Sequence, residues 1–134
     1  MYYILLKETA KRFLDKLDSN TREQITKSFV SLQTDPMRKG KILGGIYSGA
    51  TFFEKRLFFG RGYRVYYTVN FERVVILRID YEGSVAIHRI GDKRTQKKDI
   101  KKLIGLAKAD KKARIEVAKL GGKAKKTGIK KLKK

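Results

Sequence analysis

The order of apolar patterns along this chain predicts an α+β fold, with an antiparallel sheet packed on an N-terminal helical hairpin and a further helix at the C-terminal end. Three observations carry that expectation. Two stretches with helical spacing come early, several short β-type runs separated by turn residues follow, and a last amphipathic stretch closes the apolar part. With 134 residues, the chain is long enough for one core and short for two.

Tyr2 to Leu6 is a short apolar run and reads as a first strand. Ala10, Phe13, Leu14 and Leu17 then follow the i, i+3, i+4, i+7 spacing of an amphipathic helix that starts near Glu8 or Thr9. Asp18-Ser19-Asn20 interrupts it, and Asn20 with Glu23 reads as the capping pair of a second helix. That helix turns Ile25, Phe29 and Leu32 inward and ends before Pro36, since the residue ahead of a proline avoids the helical region. Residues 37–51 are glycine-rich and basic, a loop leading into a short strand around Ile42 to Tyr47.

Residues 52–68, FFEKRLFFGRGYRVYYT, predict a β-hairpin. Aromatic and β-branched residues fill both arms, and Gly60-Arg61-Gly62 supplies a tight turn, because glycine takes positive φ without a Cβ penalty. Alternation puts Glu54, Arg56 and Phe58 on one face of the first arm, and Arg64, Tyr66 and Thr68 on one face of the second. Tyr63 and Tyr67 alternate away, toward the core. The unbroken run Val74 to Leu77 predicts a central strand covered on both faces. Glu82-Gly83 is a turn, Val85 to Ile90 one more strand, and Gly91-Asp92 its end, with Asp92 a turn or cap residue. Thr95 or Gln96 then opens a helix that buries Ile100, Leu103, Ile104 and Ala107 and runs to about Leu120. No internal repeat organises the chain. Residues 1–120 form the expected domain. GGKAKKTGIKKLKK, residues 121–134, is too polar and too uniformly charged to pack, and reads as a disordered lysine-rich tail.

The formal charge is +21, from 34 Lys and Arg against 13 Asp and Glu. Residues 97–134 alone carry 16 basic and 3 acidic side chains. Such an excess points to a polyanionic partner, nucleic acid before a membrane or an acidic protein. Cysteine is absent, which excludes disulfides, thiolate metal sites and a Cys nucleophile and fits a reducing cytoplasm. The first six residues are too short for a signal-peptide core, and no apolar run approaches the roughly 20 residues that cross a bilayer. A soluble cytoplasmic protein with no membrane partner is expected.

FEKRLFFGRGYRVYYT, followed by VVILRI and GDKRTQKKDI, resembles the RelE/ParE superfamily of toxins from bacterial toxin–antitoxin pairs, and within it the phage-type addiction module killer branch related to HigB-like toxins. The resemblance spans roughly Thr9 to Ala107. It implies a small α+β fold, a neutralising antitoxin as partner, and cleavage of mRNA, usually in the ribosomal A site. By position it makes Arg64 the catalytic sheet arginine, sets Arg56 near a basic position on the preceding strand, and sets Lys93 near a late basic catalytic position. Lys55 points to the opposite face by alternation. The chain departs from the family pattern in an inserted turn and strand between Asp80 and Ile90, in Lys97, Lys98 and Asp99 where some members carry a tyrosine, and in its lysine tail.

Those residue types suit RNA scission. The 2′-hydroxyl attacks the adjacent phosphate in line, the phosphorane gains negative charge, and the 5′-oxygen leaves with a proton. Arg64 and Arg56 would stabilise the phosphorane, guanidinium being planar, always charged and bidentate toward phosphate. Lys93 would donate the proton. Tyr66 would stack on a base or bond the 2′-oxygen, and Arg61, Arg94, Lys97 and Lys98 would hold the RNA backbone. No metal, small molecule or other cofactor is needed, and mRNA, the ribosome and ribosomal RNA are the implied partners. The bland alternative pairs Arg64 and Arg56 with Glu54 across the strands and leaves His88 structural. Two other functions stay open: a ParE-like, non-enzymatic inhibitor of DNA gyrase, and a basic nucleic-acid-binding module without catalysis.

Overall fold

The computed structural model describes residues 1–47 and 50–109. The expected tail, and the helix beyond Ala109, therefore lie outside the described residues. In chain order the elements are β1 (Tyr2–Leu6), α1 (Glu8–Asp15), α2 (Ser19–Thr34), a single helical turn α3 (Pro36–Lys39), β2 (Lys41–Tyr47), β3 (Ala50–Arg56), β4 (Arg64–Asn70), β5 (Val74–Ile76), β6 (Ile79–Tyr81) and β7 (Gly83–Gly91). A 3-10 turn, Lys93–Thr95, leads into the last helix, α4, over residues 96–109. This is the α+β arrangement that the sequence predicts.

Five strands form one sheet in the order β1-β7-β4-β3-β2, with β1 parallel to β7 and the other pairs antiparallel. The helical hairpin covers one face. Ala10 and Leu14 of α1, and Ile25 and Leu32 of α2, pack with Phe53, Val65, Tyr67, Val85 and Ile87. Helix α4 covers the other face, where Leu103 and Ala107 pack on Leu43, Phe52 and Tyr66 and Ile100 lies against them. Ile104, expected inside with them, is only partly covered. Burying a leucine fully stabilises by roughly 1.5–3 kcal/mol, so Leu103 is the main apolar anchor of α4 on the sheet.

Helix α2 starts two residues earlier than expected. Asp18, not Asn20, is its N-cap, and its carboxylate accepts the Thr21 amide at 3.0 Å and the Thr21 hydroxyl at 2.6 Å. Aspartate fills this role because its short carboxylate reaches an otherwise unpaired amide. The helix stops ahead of Pro36, as expected, and the Pro36 carbonyl accepts a 2.5 Å hydrogen bond from the buried Tyr67 hydroxyl. That bond ties α3 to the sheet centre.

Two expectations about the strands need correction. The β3–β4 connection is wider than a tight turn: residues 57–63 lie between the strands, closed by Leu57 N–H to the Tyr63 carbonyl at 2.8 Å. Gly60 and Gly62 do take positive φ, 56° and 72°. Phe58 belongs to this loop, so it shares no sheet face with Arg56, and it is exposed. Second, Val74 to Leu77 is not a central strand. β5 pairs only with β6, as a small hairpin beside the main sheet, and Val75, Leu77 and Ile79 are exposed. The two-residue turn between them is Leu77-Arg78, at φ 50° and 66°. Left-handed backbone costs about 1–2 kcal/mol at a residue with a Cβ, and turns of this kind normally use Asn or Gly. The interior strand between β1 and β4 is β7, which carries Val85, Ile87 and Ile90 into the core.

Replacing Tyr67 by Phe removes one buried hydrogen bond and orphans the Pro36 carbonyl, so a loss of about 1–3 kcal/mol is expected in urea unfolding. A Tyr67→Phe variant as stable as the parent would show that water reaches that carbonyl.

Candidate functional site

The α4-facing side of the sheet carries the charged cluster. β3 and β4 pair Glu54 with Tyr66 and Arg56 with Arg64, so these four side chains share a face by register. β7 adds Arg89, opposite Tyr66. Guanidinium groups from three adjacent strands thus converge on one end of the sheet. Each is held by a carboxylate. Glu54 is 2% exposed. Its Oε1 accepts Arg56 Nε at 3.2 Å, and its Oε2 accepts Gln96 Nε2 of α4 at 2.8 Å and lies 3.6 Å from Arg64 Nε. Arg89 Nε donates to Asp99 Oδ1 of α4 at 2.6 Å, and the Thr95 hydroxyl donates to Asp99 Oδ2 at 2.7 Å. Gly91 is required here: a Cβ would run into the Asp99 carboxylate and the Thr95 hydroxyl.

Arg64 is 7% exposed, and its Nε and Nη1 make no hydrogen bond. The Tyr66 hydroxyl beside it is equally buried and equally unpartnered. Unpaired buried donors are costly, so the cluster holds unused capacity for an anion or water. Burial, with the Glu54 and Asp99 carboxylates adding to it, raises the Tyr66 pKa well above the ordinary phenol range. Tyr66 therefore stays protonated. Its ring is fully buried beneath α4, which corrects the expected role as an exposed stacking platform.

The remaining candidates sit around the same end of the sheet. Arg64 pairs with Gly91, so the chain leaves β7 beside the hairpin loop, and a Cβ on Gly62 would lie 3.7 Å from that of Lys93. Lys93 is exposed on the 3-10 turn. Asp92 caps that turn, accepting the Arg94 amide at 2.9 Å, and its carboxylate lies 3.6 Å from Arg61 and 3.4 Å from Arg94. Burial alone would raise the Asp92 pKa, but hydrogen bonds from Arg94 and the charges of Arg94 and Arg61 hold it below its ordinary value. Arg61 also lies over the Tyr63 ring, 5.6 Å from its centroid. Lys97 and Lys98 are exposed on the first turn of α4. Lys55 lies apart, its pKa lowered by burial and by Lys39.

Arg89, Gln96 and Asp99 were missed by sequence reasoning. The signal was available for one of them: in VAIHRI, Arg89 is a charge in an otherwise β-type run. Gln96 and Asp99 become site residues only because α4 lies across the sheet. Among the described residues no group of three His, Asp or Glu side chains could hold a metal ion.

The family-model comparison matches residues 4–85 to the ParE toxin of the parDE type II toxin–antitoxin system. The chain belongs to the ParE toxin family. Among solved structures, a doubly substituted E. coli RelE in the free state is similar, with a TM-score of 0.50 and 24% identity over 75% of this chain and 96% of that one. The E. coli RelBE toxin–antitoxin complex gives 0.49 and 25% over 69% and 96%, and the RelBE2 complex of Mycobacterium tuberculosis 0.49 and 26% over 69% and 98%. No curated relative matches. The ParE-family chain is thus a toxin of a type II toxin–antitoxin system, in a RelE-like fold. No helix among its described residues is long and apolar enough to cross a membrane.

On the same face, a cavity of about 720 Å³ is lined by Phe52, Thr68, His88, Leu106 and neighbouring apolar residues. His88 Nε2 lies 2.8 Å from the Thr68 hydroxyl, and burial, with Lys7 adding to it, pushes the imidazole down to about 4. An unfolded histidine titrates near 6.5, so below that pH the unfolded chain takes a proton that the folded chain refuses. Stability should be constant with respect to this group above about pH 6.5 and fall as the pH drops toward 4. A His88→Gln variant should lack that part of the slope. Parallel stability–pH curves for the two proteins would refute a neutral buried His88.

Proposed function

We propose that this ParE-family toxin is a metal-independent endoribonuclease that cleaves mRNA, on the ribosome, and is neutralised by a cognate antitoxin. The observation that supports this reading is Arg64: a guanidinium nearly removed from solvent, with two unbonded donor atoms, flanked by Arg56 and Arg89 on neighbouring strands. In a folded protein such donors are retained at a cost, and a scissile phosphodiester supplies the acceptors they lack.

In this mechanism the phosphate takes the place of the Glu54 carboxylate between Arg56 and Arg64. The two guanidiniums, with Arg89, stabilise the phosphorane as the 2′-oxygen attacks, its proton passing to the displaced Glu54 carboxylate, and the bond to the 5′-oxygen breaks to leave a 2′,3′-cyclic phosphate and a 5′-hydroxyl. Lys93, exposed at the rim, protonates the departing oxygen. Arg61, Arg94, Lys97 and Lys98 bind flanking phosphates by counterion release. Tyr66 contributes a hydrogen bond to the 2′-oxygen once α4 has shifted, which breaks the Gln96 and Asp99 contacts and parts Leu103 and Ala107 from the sheet.

A second reading is a ParE-like toxin that inhibits DNA gyrase through protein contacts alone. Two observations favour it: the family model that matches is ParE, and the arginine cluster is neutralised by Glu54 and Asp99 beneath α4. Primer extension on a reporter transcript, with and without ribosomes, separates the two. Cuts made by the parent chain support the nuclease. DNA damage without RNA cuts supports the gyrase reading.

For the nuclease, Arg64→Ala and Arg89→Ala should each lower the cleavage rate about 10²–10³-fold, the usual effect of losing one preorganised donor. Arg61→Ala should instead weaken RNA binding and flatten its salt dependence. Full cleavage by a folded Arg64→Ala protein would remove Arg64 from the mechanism.

A further inference from the structure

A short stretch across the β5–β6 turn repeats the strand that follows it. Residues 74–79 read VVILRI and residues 85–90 read VAIHRI, the same V-x-I-x-R-I pattern eleven positions apart. This corrects the reading of a chain without internal repeats: the repeat is six residues long, below the scale of a fold. The second copy is the interior strand β7; the first copy is the exposed β5–β6 hairpin.

We propose that residues 74–79 exchange with residues 85–90 for the position between β1 and β4, so that the sheet has two registers. The residues that face the helical core are chemically identical in both copies. Val85, Ile87 and Ile90 are buried there, and the exchange would place Val74, Ile76 and Ile79 in their positions. Arg78 would take the place of Arg89 opposite Tyr66, within reach of Asp99. Val75 would replace Ala86, and Leu77 would replace His88 at the cavity beside Phe52 and Leu106.

Two features of the present register lean toward the exchange. Val75, Leu77 and Ile79 are exposed, Leu77 at 89%. Leu77 and Arg78 hold left-handed backbone that an extended strand would release. The exchange also needs a new turn: β4 now pairs Asn70 with Ser84, whose counterpart is Arg73, which leaves Phe71-Glu72 as a two-residue hairpin loop, neither of them left-handed in the present register, with Glu72 N–H donating to the Asn70 side chain at 2.8 Å. Two features oppose the exchange. Glu72 would stand where Gly83 now pairs with Tyr2, and a Cβ at that point meets the Asn70 carbonyl oxygen and the Tyr2 ring. Asp80 would stand where Gly91 now lies, and a Cβ at that point collides with Asp99 and Thr95. The exchange therefore requires the first turn of α4 to move, which disturbs the Asp99 and Thr95 contacts beside the arginine cluster.

The chain has no cysteine, so disulfide trapping is unambiguous. Thr68 now pairs with Ala86, and in the exchanged register it pairs with Val75. Thr68→Cys with Ala86→Cys should link rapidly under mild oxidation in native buffer. Thr68→Cys with Val75→Cys should also link within one chain, more slowly. Gly91→Ala penalises only the present register and should raise the rate of the 68–75 link about tenfold. In the 68–75-linked protein, amides of 74–79 should be protected from hydrogen exchange and those of 85–90 should exchange fast, with a cooperative melt retained. The proposal fails if the 68–75 pair links only in urea, links only between chains, or links while 85–90 stays protected.

Discussion

One buried carboxylate organises the charged end of this molecule. Glu54 sits under α4 with both oxygens occupied, receiving Arg56 from its own strand and Gln96 from the helix, and facing Arg64 across the hairpin. Without it, two guanidiniums would be crowded on adjacent strands at positions 56 and 64 with no counter-charge, and like charges directly opposite destabilise a strand pair. A charge taken out of water must be paired and hydrogen-bonded, so Glu54 permits Arg64 to be buried at all. The same carboxylate fastens α4 through Gln96. Sheet, arginines and covering helix are thereby linked through one residue.

Helix α4 is attached by two unlike kinds of contact. Leu103 and Ala107 bind it by apolar burial, while Gln96 and Asp99 bind its first turn through the charged cluster. The apolar contacts are indifferent to ionic strength and to anions; the polar ones compete directly with any phosphate that reaches the arginines. The first turn is therefore held by salt-sensitive contacts and the body of the helix, whose Leu103 and Ala107 cover Tyr66, by contacts that are not. The rim cations are organised separately: Asp92 draws Arg61 and Arg94 together and leaves Lys93 exposed beside the hairpin loop.

The small β5–β6 hairpin stands apart from this economy. It exposes apolar side chains and strains its turn, yet its sequence carries the same inward-facing residues as the strand beside it. Two segments of one chain with equal claims on an interior position differ in energy only through their neighbours. Gly91, which alone leaves room for Asp99 and Thr95, gives the present register its advantage.

Local pattern alone determined much of this protein: the two early helices with their inward residues, the stop at Pro36, the hairpin whose alternation puts Glu54, Arg56, Arg64 and Tyr66 on one face, and the direction of Tyr63 and Tyr67 into the core. These follow from periodicities of 3.6 and 2 residues, which neighbouring residues impose on one another. Residues far apart decided the rest. Whether 74–79 or 85–90 becomes the strand between β1 and β4 depends on β1, β4 and the space around Gly91, since both segments present the same inward-facing Val, Ile and Ile. That Tyr66 is covered, and that Arg89, Gln96 and Asp99 join the arginines, depends on where α4 lies, and no spacing within a segment encodes the packing of a helix on a sheet some forty residues away in sequence.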